Sequence, residues 1–218
     1  MNDAPEMICM IQAGPRIRPK PLPDFPSPAQ RPEGAGQPLV LEFFSEVPRG
    51  IDIALGKVPT RDTAAFLNAI RTAGNRSVVC KINCAGGEAE SALAIAQALL
   101  RHPFAVHCKI IGRCSSAAAF IALAADTRTI VPDGYVLLHT ARRICTPEQW
   151  ENIQRLAPLL KQPINEGLAD IDDATAVLLR SRLVGVSEVQ ARAWLEEDRK
   201  WPAQEALERG FVNRVESP

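Results

Sequence analysis

The feature that most restricts the fold of this chain is an alternation between residues 77 and 140. Short β-rich runs, "SVVCKINC", "FAVHCKIIG", "TRTIVP" and "YVLLHT", are interrupted by two segments of helical period, "GGEAESALAIAQALLRHP" and "SSAAAFIALAAD". Apolar strands joined through helices cannot close as tight hairpins. They pair in parallel through right-handed crossovers, and the helices cover the sheet. Upstream, "LVLEFF" reads as another strand. "TRDTAAFLNAIRTAG" reads as a helix capped by Thr60, with Ala64, Phe66, Leu67 and Ile70 on one face and a closing glycine. The expectation is an α/β fold, with repeated β-β-α or βαβ units around a mostly parallel sheet.

Past His139 the periodicity becomes helical. Thr146, Pro147 and Gln149 form a capping-box start, followed by Trp150, Ile153, Leu156 and Leu160 on one face. Ile164, Leu168, Ile171 and Leu178 continue beyond Pro163, where a break is expected. A Ser187–Gln190 box opens a further helix, "PAQEALERG" is another, and "FVNRV" reads as a final strand. Residues 1–38 differ in kind. "PRIRPKPLPDFPSPAQRPEGAGQP" is too rich in proline and too poor in large apolar residues to offset the entropy of ordering. They are expected to form a disordered arm, leaving 39–218 as one domain with a helical C-terminal extension.

Charge and cysteine content exclude several classes. Twenty-five basic residues balance 25 acidic ones in 218, so there is no footprint for nucleic acid or an anionic membrane. No apolar run is long enough to cross a bilayer, and "MNDAPEMICMIQAGPRIRPK" lacks the pattern of a secretory signal. The 6 cysteines form no CxxC pair, and most lie in apolar strand-like runs, where cysteine behaves as a small hydrophobe. A reduced, cytoplasmic protein is expected. A metal site from Cys80, Cys84 and His107 has no supporting ligand spacing.

Three places could carry chemistry. In "INCAGGEAE" two glycines join a strand to a helix, a geometry that serves either a tight turn or amides aimed at a developing negative charge. In Gly112-Arg113-Cys114-Ser115-Ser116 a strand again meets a helix. One serine there could cap the helix, or one could be a nucleophile beside free amides. The sequence is not a G-x-S-x-G elbow. His139 closes a buried strand, where parallel sheets often place working groups. Of the 3 histidines, His102 falls at a helix end and His107 within a strand, which leaves His139 as the best base.

Taken in order, these pieces resemble the ClpP serine protease family of the larger ClpP/crotonase fold. "KINCAGGEAESALAIAQAL" resembles its "INSPGG" segment, "GRCSSAAAFIALAAD" its G-x-A-A-S nucleophile segment, and "YVLLHT" its segment ending in "HQP". "WPAQEALERGFVNRV" is similar to its C-terminal "A-x-EA-x-x-x-G-L-V-D". The resemblance covers roughly residues 39–142 and 184–215 and implies a ClpP/crotonase-like fold. By it, Ser116 is the nucleophile, His139 the base, and the amides of Gly87 and Ala117 the oxyanion hole. It further implies peptide or unfolded-protein substrates, a homo-oligomeric ring, and no metal or organic cofactor.

The chain departs from the family pattern in three ways. The aspartate that orients the histidine falls, in an ungapped comparison, on Trp194, whose indole only donates. Glu196, Glu197 and Asp198 are nearby, and Asp198 is the choice for a third residue. The segment from His139 to Val184 is longer than the family's handle and lacks its glycine-rich strand. The arm does not resemble the family's axial loops, so no unfoldase ATPase partner is assumed. These departures resemble the prophage-type or stand-alone branches. Three other readings are a crotonase-type acyl-CoA enzyme, a scaffold that kept the fold without activity, and a Ser-Lys peptidase using Lys81 or Lys109.

Overall fold

The computed structural model describes residues 9–12, 31–45, 59–156 and 166–216. The elements, in chain order, begin with β1 (Cys9–Gln12), β2 (Leu39–Ser45), α1 (Pro59–Arg71), β3 (Val78–Cys84) and α2 (Ala89–Arg101). Next come β4 (Val106–Ser115), α3 (Ala118–Leu123), β5 (Thr127–Ile130), β6 (Tyr135–Leu137), β7 (Arg142–Cys145) and α4 (Pro147–Leu156). The C-terminal part contains α5 (Glu166–Arg182), α6 (Glu188–Glu197), β8 (Lys200–Pro202), α7 (Ala203–Glu208) and β9 (Arg214–Val215).

Seven strands form one sheet in the order β2-β3-β4-β5-β9, with β6 pairing both β4 and β8. All of its pairs are parallel except β6–β8. This is the α/β architecture with a mostly parallel sheet expected from the alternation. The strand β4 forks the sheet. Its first half, His107–Ile110, pairs with β5, and its second half, Arg113–Ser115, pairs with β6. Between the halves the register with β3 shifts, from Ile82↔Ile110 to Cys84↔Cys114. Gly112 permits the fork, because a Cβ there would lie 2.5 Å from Asn83 Oδ1. That oxygen accepts the Arg113 amide at 3.1 Å and so repays the ladder bond lost at the bulge.

The core lies between one face of the sheet and the helices. Val78, Cys80, Ile82 and Cys84 of β3 alternate inward, as do Val106, Cys108, Ile110 and Cys114 around β4. Ala-rich α3 is buried along its whole length, because alanine lets its backbone approach the sheet and α2 closely. Its C-terminal carbonyls are held by three arginines. Arg31 donates to Ala124 O, Arg128 to Ala125 O, and Arg182 to both Leu123 O and Ala125 O. Asp126 supplies counter-charge, taking Arg31 Nε at 2.9 Å and the Val106 amide at 2.9 Å, with Arg182 at 3.8 Å.

Several expectations need correction. Residues 31–38, assigned by composition to the arm, lie along the domain: Ala105 N donates to Pro32 O, Gly34 N to Ser77 Oγ and Ala35 N to Asn75 O. Within the same arm, β1 pairs antiparallel with β7. Helix α1 starts at Pro59, so Thr60 lies inside its first turn. Both β7 and β8 fall in stretches read as helical or loop. They escaped notice because "RRIC" and "KWP" are short, charged and unpatterned. The Thr146–Gln149 box forms reciprocally, at 3.2 and 3.0 Å, whereas at Ser187 the hydroxyl accepts the Gln190 amide without a reciprocal bond. Only Arg214–Val215 of "FVNRV" is strand. Pro163, Leu160 and Ile164 lie outside the described residues. Among the described residues no helix is long and apolar enough to cross a membrane.

Removing the Asp126 carboxylate would leave Arg31 and Arg182 without that counter-charge and the Val106 amide without its acceptor. Asp126→Ala is expected to lower unfolding free energy by about 3 kcal/mol, read as a shift of the urea midpoint. An unchanged midpoint would show that solvent supplies the counter-charge.

Candidate active site

Ser116 sits where the second branch of β4 ends. Its amide donates to Leu137 O at 2.8 Å, which extends the Ser115↔Leu137 pairing by one bond. Its φ of 55° is then left-handed, a conformation costly for a residue with a side chain. The chain thus turns abruptly from strand to helix at this serine. Neither serine caps α3: its N-cap is Ala117, with no side-chain cap bond. The capping role that the sequence left open to Ser115 and Ser116 is therefore not taken up.

The glycine pair lies directly against this turn. A Cβ on Gly86 would stand 2.6 Å from Ser116 Cβ, 2.7 Å from Ser115 O and 3.1 Å from Ser116 Oγ. Gly86 also has φ of 100°, so both conformation and space demand glycine there. Among the described residues, the amides of Gly87 and Ala117 donate no hydrogen bond. Two uncommitted N–H groups therefore adjoin this turn in the chain, one on the residue after Gly86 and one on the residue after Ser116.

His139 follows the last residue pairs of β6, two positions beyond Leu137, and is half-buried. Its Nδ1 lies 2.6 Å from Thr140 O and 3.2 Å from Arg142 Nε. One nitrogen cannot donate to a carbonyl and accept from a guanidinium at once. With the proton on Nδ1 the ring donates to the shorter contact, Thr140 O, and Nε2 keeps its lone pair; with the proton on Nε2 the ring accepts from Arg142 instead. Burial lowers the imidazole pKa from its ordinary value, and the neighbouring Arg142 cation adds to this. The Thr140 bond and the Asp198 charge oppose them. Among the described residues no hydrogen bond joins Ser116 to His139. Apo catalytic pairs commonly close only around substrate.

The acids near the expected third position are otherwise engaged. Asp198 Oδ2 takes Arg142 Nη2 at 2.6 Å, so its link to the imidazole runs through Arg142. Glu197 takes Trp201 Nε1 and Arg209 Nη1, and Glu196 is exposed. Trp194 is buried, its ring 5.2 Å from that of Trp201 in an edge-on contact, with Arg209 over both rings. The indole thus fills the core where an acid was sought. An acid the sequence did not single out bonds the turn after His139: Asp172 Oδ1 of α5 accepts the Ala141 amide at 2.5 Å. Burial pushes its carboxyl up to about 6. Only the tertiary approach of α5 makes it visible, because the local pattern of this helix marks just its apolar face, Leu168, Ile171 and Leu178.

The remaining candidates fall elsewhere. Cys80 and Cys84 point into the core, where burial pushes the Cys80 thiol well up. His107 points the other way, to Thr127 and Glu33, so strand alternation separates the metal candidates. Lys81 pairs with Glu42 on that outer side. Among the described residues no group of His, Cys, Asp and Glu could hold a metal ion.

A family model described as Clp protease matches residues 57–218. No curated protein matches the chain.

Gly86→Ala combines backbone strain with overlap on Ser116, whereas Gly36→Ala meets only strain, since its φ is 74° and nothing lies within 4 Å of its added Cβ. Gly86→Ala is expected to destabilise by about 2 kcal/mol more than Gly36→Ala in chemical denaturation. Equal effects would mean that the glycine loop is not seated on the serine.

Proposed function

The chain belongs to the Clp protease family, one of serine peptidases, and from that premise we propose that it hydrolyses peptide bonds through an acyl-enzyme on Ser116, with His139 as base. The observation that carries this reading is the left-handed turn at Ser116, pressed against Gly86 and flanked by the unused Gly87 and Ala117 amides. Free donors beside the hydroxyl are what acyl transfer requires, and the strain at Ser116 serves no helix cap.

In the proposed reaction, the Ser116 Oγ–H proton passes to His139 Nε2 as Oγ bonds the substrate carbonyl carbon. The carbonyl electrons move onto oxygen, where the Gly87 and Ala117 amides stabilise them. Collapse breaks the C–N bond, and the Nε2 proton goes to the leaving amine. Water then repeats the sequence on the ester, giving its proton to Nε2 and releasing Ser116. The Nδ1–H bond to Thr140 O keeps the ring in the tautomer this needs. Asp198 acts at one remove, offsetting the Arg142 charge beside the ring.

Assembly with further copies belongs to the same proposal. Parallel sheets are ordinarily covered on both faces, and the outer side of β2–β4 carries the exposed Val40 and Ile111. Peptide or unfolded-protein substrates and a cytoplasmic location complete it; sedimentation velocity tests the assembly.

A fluorophosphonate probe followed by peptide mass spectrometry tests the centre. Labelling is expected at Ser116, absent in Ser116→Ala and slowed about a hundredfold or more in His139→Ala. No adduct in a folded sample would favour a scaffold. Acyl-CoA binding by such a sample would favour the crotonase-type reading.

The pH dependence has a definite sign. Burial lowers the His139 pKa from its ordinary value, so the basic form persists to lower pH than for a free imidazole. Labelling should rise with pH through an inflection below the ordinary imidazole value and then level off. An inflection above the ordinary imidazole value would place the base elsewhere. Asp198→Asn leaves Arg142 less neutralised and should slow labelling severalfold without abolishing it.

A further inference from the structure

We infer that Asp172 is a positioning residue for His139, acting through the peptide group between Thr140 and Ala141; this rests on the Ser116–His139 reading above. His139 Nδ1 lies 2.6 Å from the Thr140 carbonyl oxygen, to which it donates in the tautomer that leaves Nε2 free to act as base. The Ala141 N–H donates to Asp172 Oδ1 at 2.5 Å. That carbonyl and that N–H belong to one planar, resonance-coupled unit. A carboxylate drawing on the N–H side shifts electron density toward the carbonyl oxygen and makes it a better acceptor, as in a chain of polarised hydrogen bonds. The gain is largest when the ring is an imidazolium, the state in which it holds the serine proton. The same two bonds fix the plane of the peptide and hence the direction in which Nε2 points.

Position supports the assignment. The family's acid position holds Trp194, packed in an aromatic cluster, and Asp198 is spent on Arg142. Asp172 reaches the histidine turn from α5, beyond the segment in which the third residue was sought. It is partly withdrawn from water, so its charge acts in a medium that screens it less. Asp173 and Arg192 face it, while Arg142 and Asp198 face His139, and all four enter any titration of the pair. Burial pushes the Asp172 carboxyl up to about 6, so it is charged at neutrality. A mere clamp between helix and loop needs only an oxygen that accepts the Ala141 amide. A positioning residue of the kind inferred needs the negative charge as well.

Asp172→Asn separates the two, because the carboxamide oxygen can still accept from Ala141. The first readout is the imidazole of His139 in the full ¹⁵N-labelled chain, followed by NMR against pH. His102 and His107 are assigned by substitution. The unmodified protein should show Nδ1–H at neutral pH and a second inflection near pH 6 as Asp172 titrates. In Asp172→Asn that inflection should vanish and the imidazole pKa should fall. The second readout is Ser116 labelling by a fluorophosphonate at saturating and subsaturating probe. In Asp172→Asn the maximal rate should fall about tenfold at pH 7.5, less than when an acid touching the ring is lost. The probe's half-saturation should be unchanged, and the two proteins should converge at pH 5. An unaltered His139 titration and labelling profile in folded Asp172→Asn would overturn the inference. If that variant does not fold, the second inflection in the unmodified protein decides alone, its absence being fatal. Failure of Ser116 to label in the unmodified protein would instead sink the peptidase reading, while the imidazole titration still reports whether Asp172 and His139 are coupled.

Discussion

The fork in β4 is the constraint on which the site depends. A single strand serves two neighbours in succession, and the change of partner requires an extra length of chain between Ile110 and Cys114. The ladder bonds lost there are recovered by the Asn83 side chain, which only a glycine at 112 admits. Because the second branch pairs with β6, the ends of β4 and β6 lie side by side. One carries Ser116 and the other leads, two residues on, to His139. A straight β4 paired throughout with β5 would not set those two ends together.

Strain at one end of α3 is set against strong anchoring at the other. The N-terminal side begins with a left-handed serine and an alanine cap that offers no side-chain bond. The C-terminal side is gripped by Arg31, Arg128 and Arg182 on successive carbonyls, with Asp126 among them. Charged hydrogen bonds to carbonyls of a buried helix end are among the stronger polar contacts available. They hold the helix against the sheet, so the turn at Ser116 cannot relax by letting α3 slide away. Arg31 comes from a stretch that composition alone assigns to a disordered arm, so part of that arm completes the domain.

Electrostatics around the histidine follow a second logic. Arg142 lies beside the imidazole, and a cation there disfavours the imidazolium. Asp198 offsets it by pairing with Arg142, while Asp172 holds the Ala141 amide of the following turn. The tryptophan at the family's acid position is no vacancy in the fold. It belongs to a packed cluster with Trp201 and Arg209, and an aspartate there would be buried against aromatic rings.

Alternation of β-rich and helix-period segments was enough to specify a parallel α/β sheet, because each strand's burial and each helix's amphipathic face are local patterns. Ser116, His139 and the glycine pair were legible for the same reason: each sits at a strand end announced by the residues around it. The contact of Asp172 with the 139–141 turn was not legible. Local pattern marks only the apolar face of α5, Leu168, Ile171 and Leu178, and the bond to Ala141 arises only when α5 packs. The strands β7 and β8 were hidden as well, since their partners are remote in sequence and their residues carry no period. Sequence by itself therefore determined the parallel α/β frame and marked Ser116 and His139 as candidates at strand ends. Tertiary structure alone decided the left-handed turn at Ser116 and the acid that bonds the loop after His139, because each depends on contacts between segments that share no local signal.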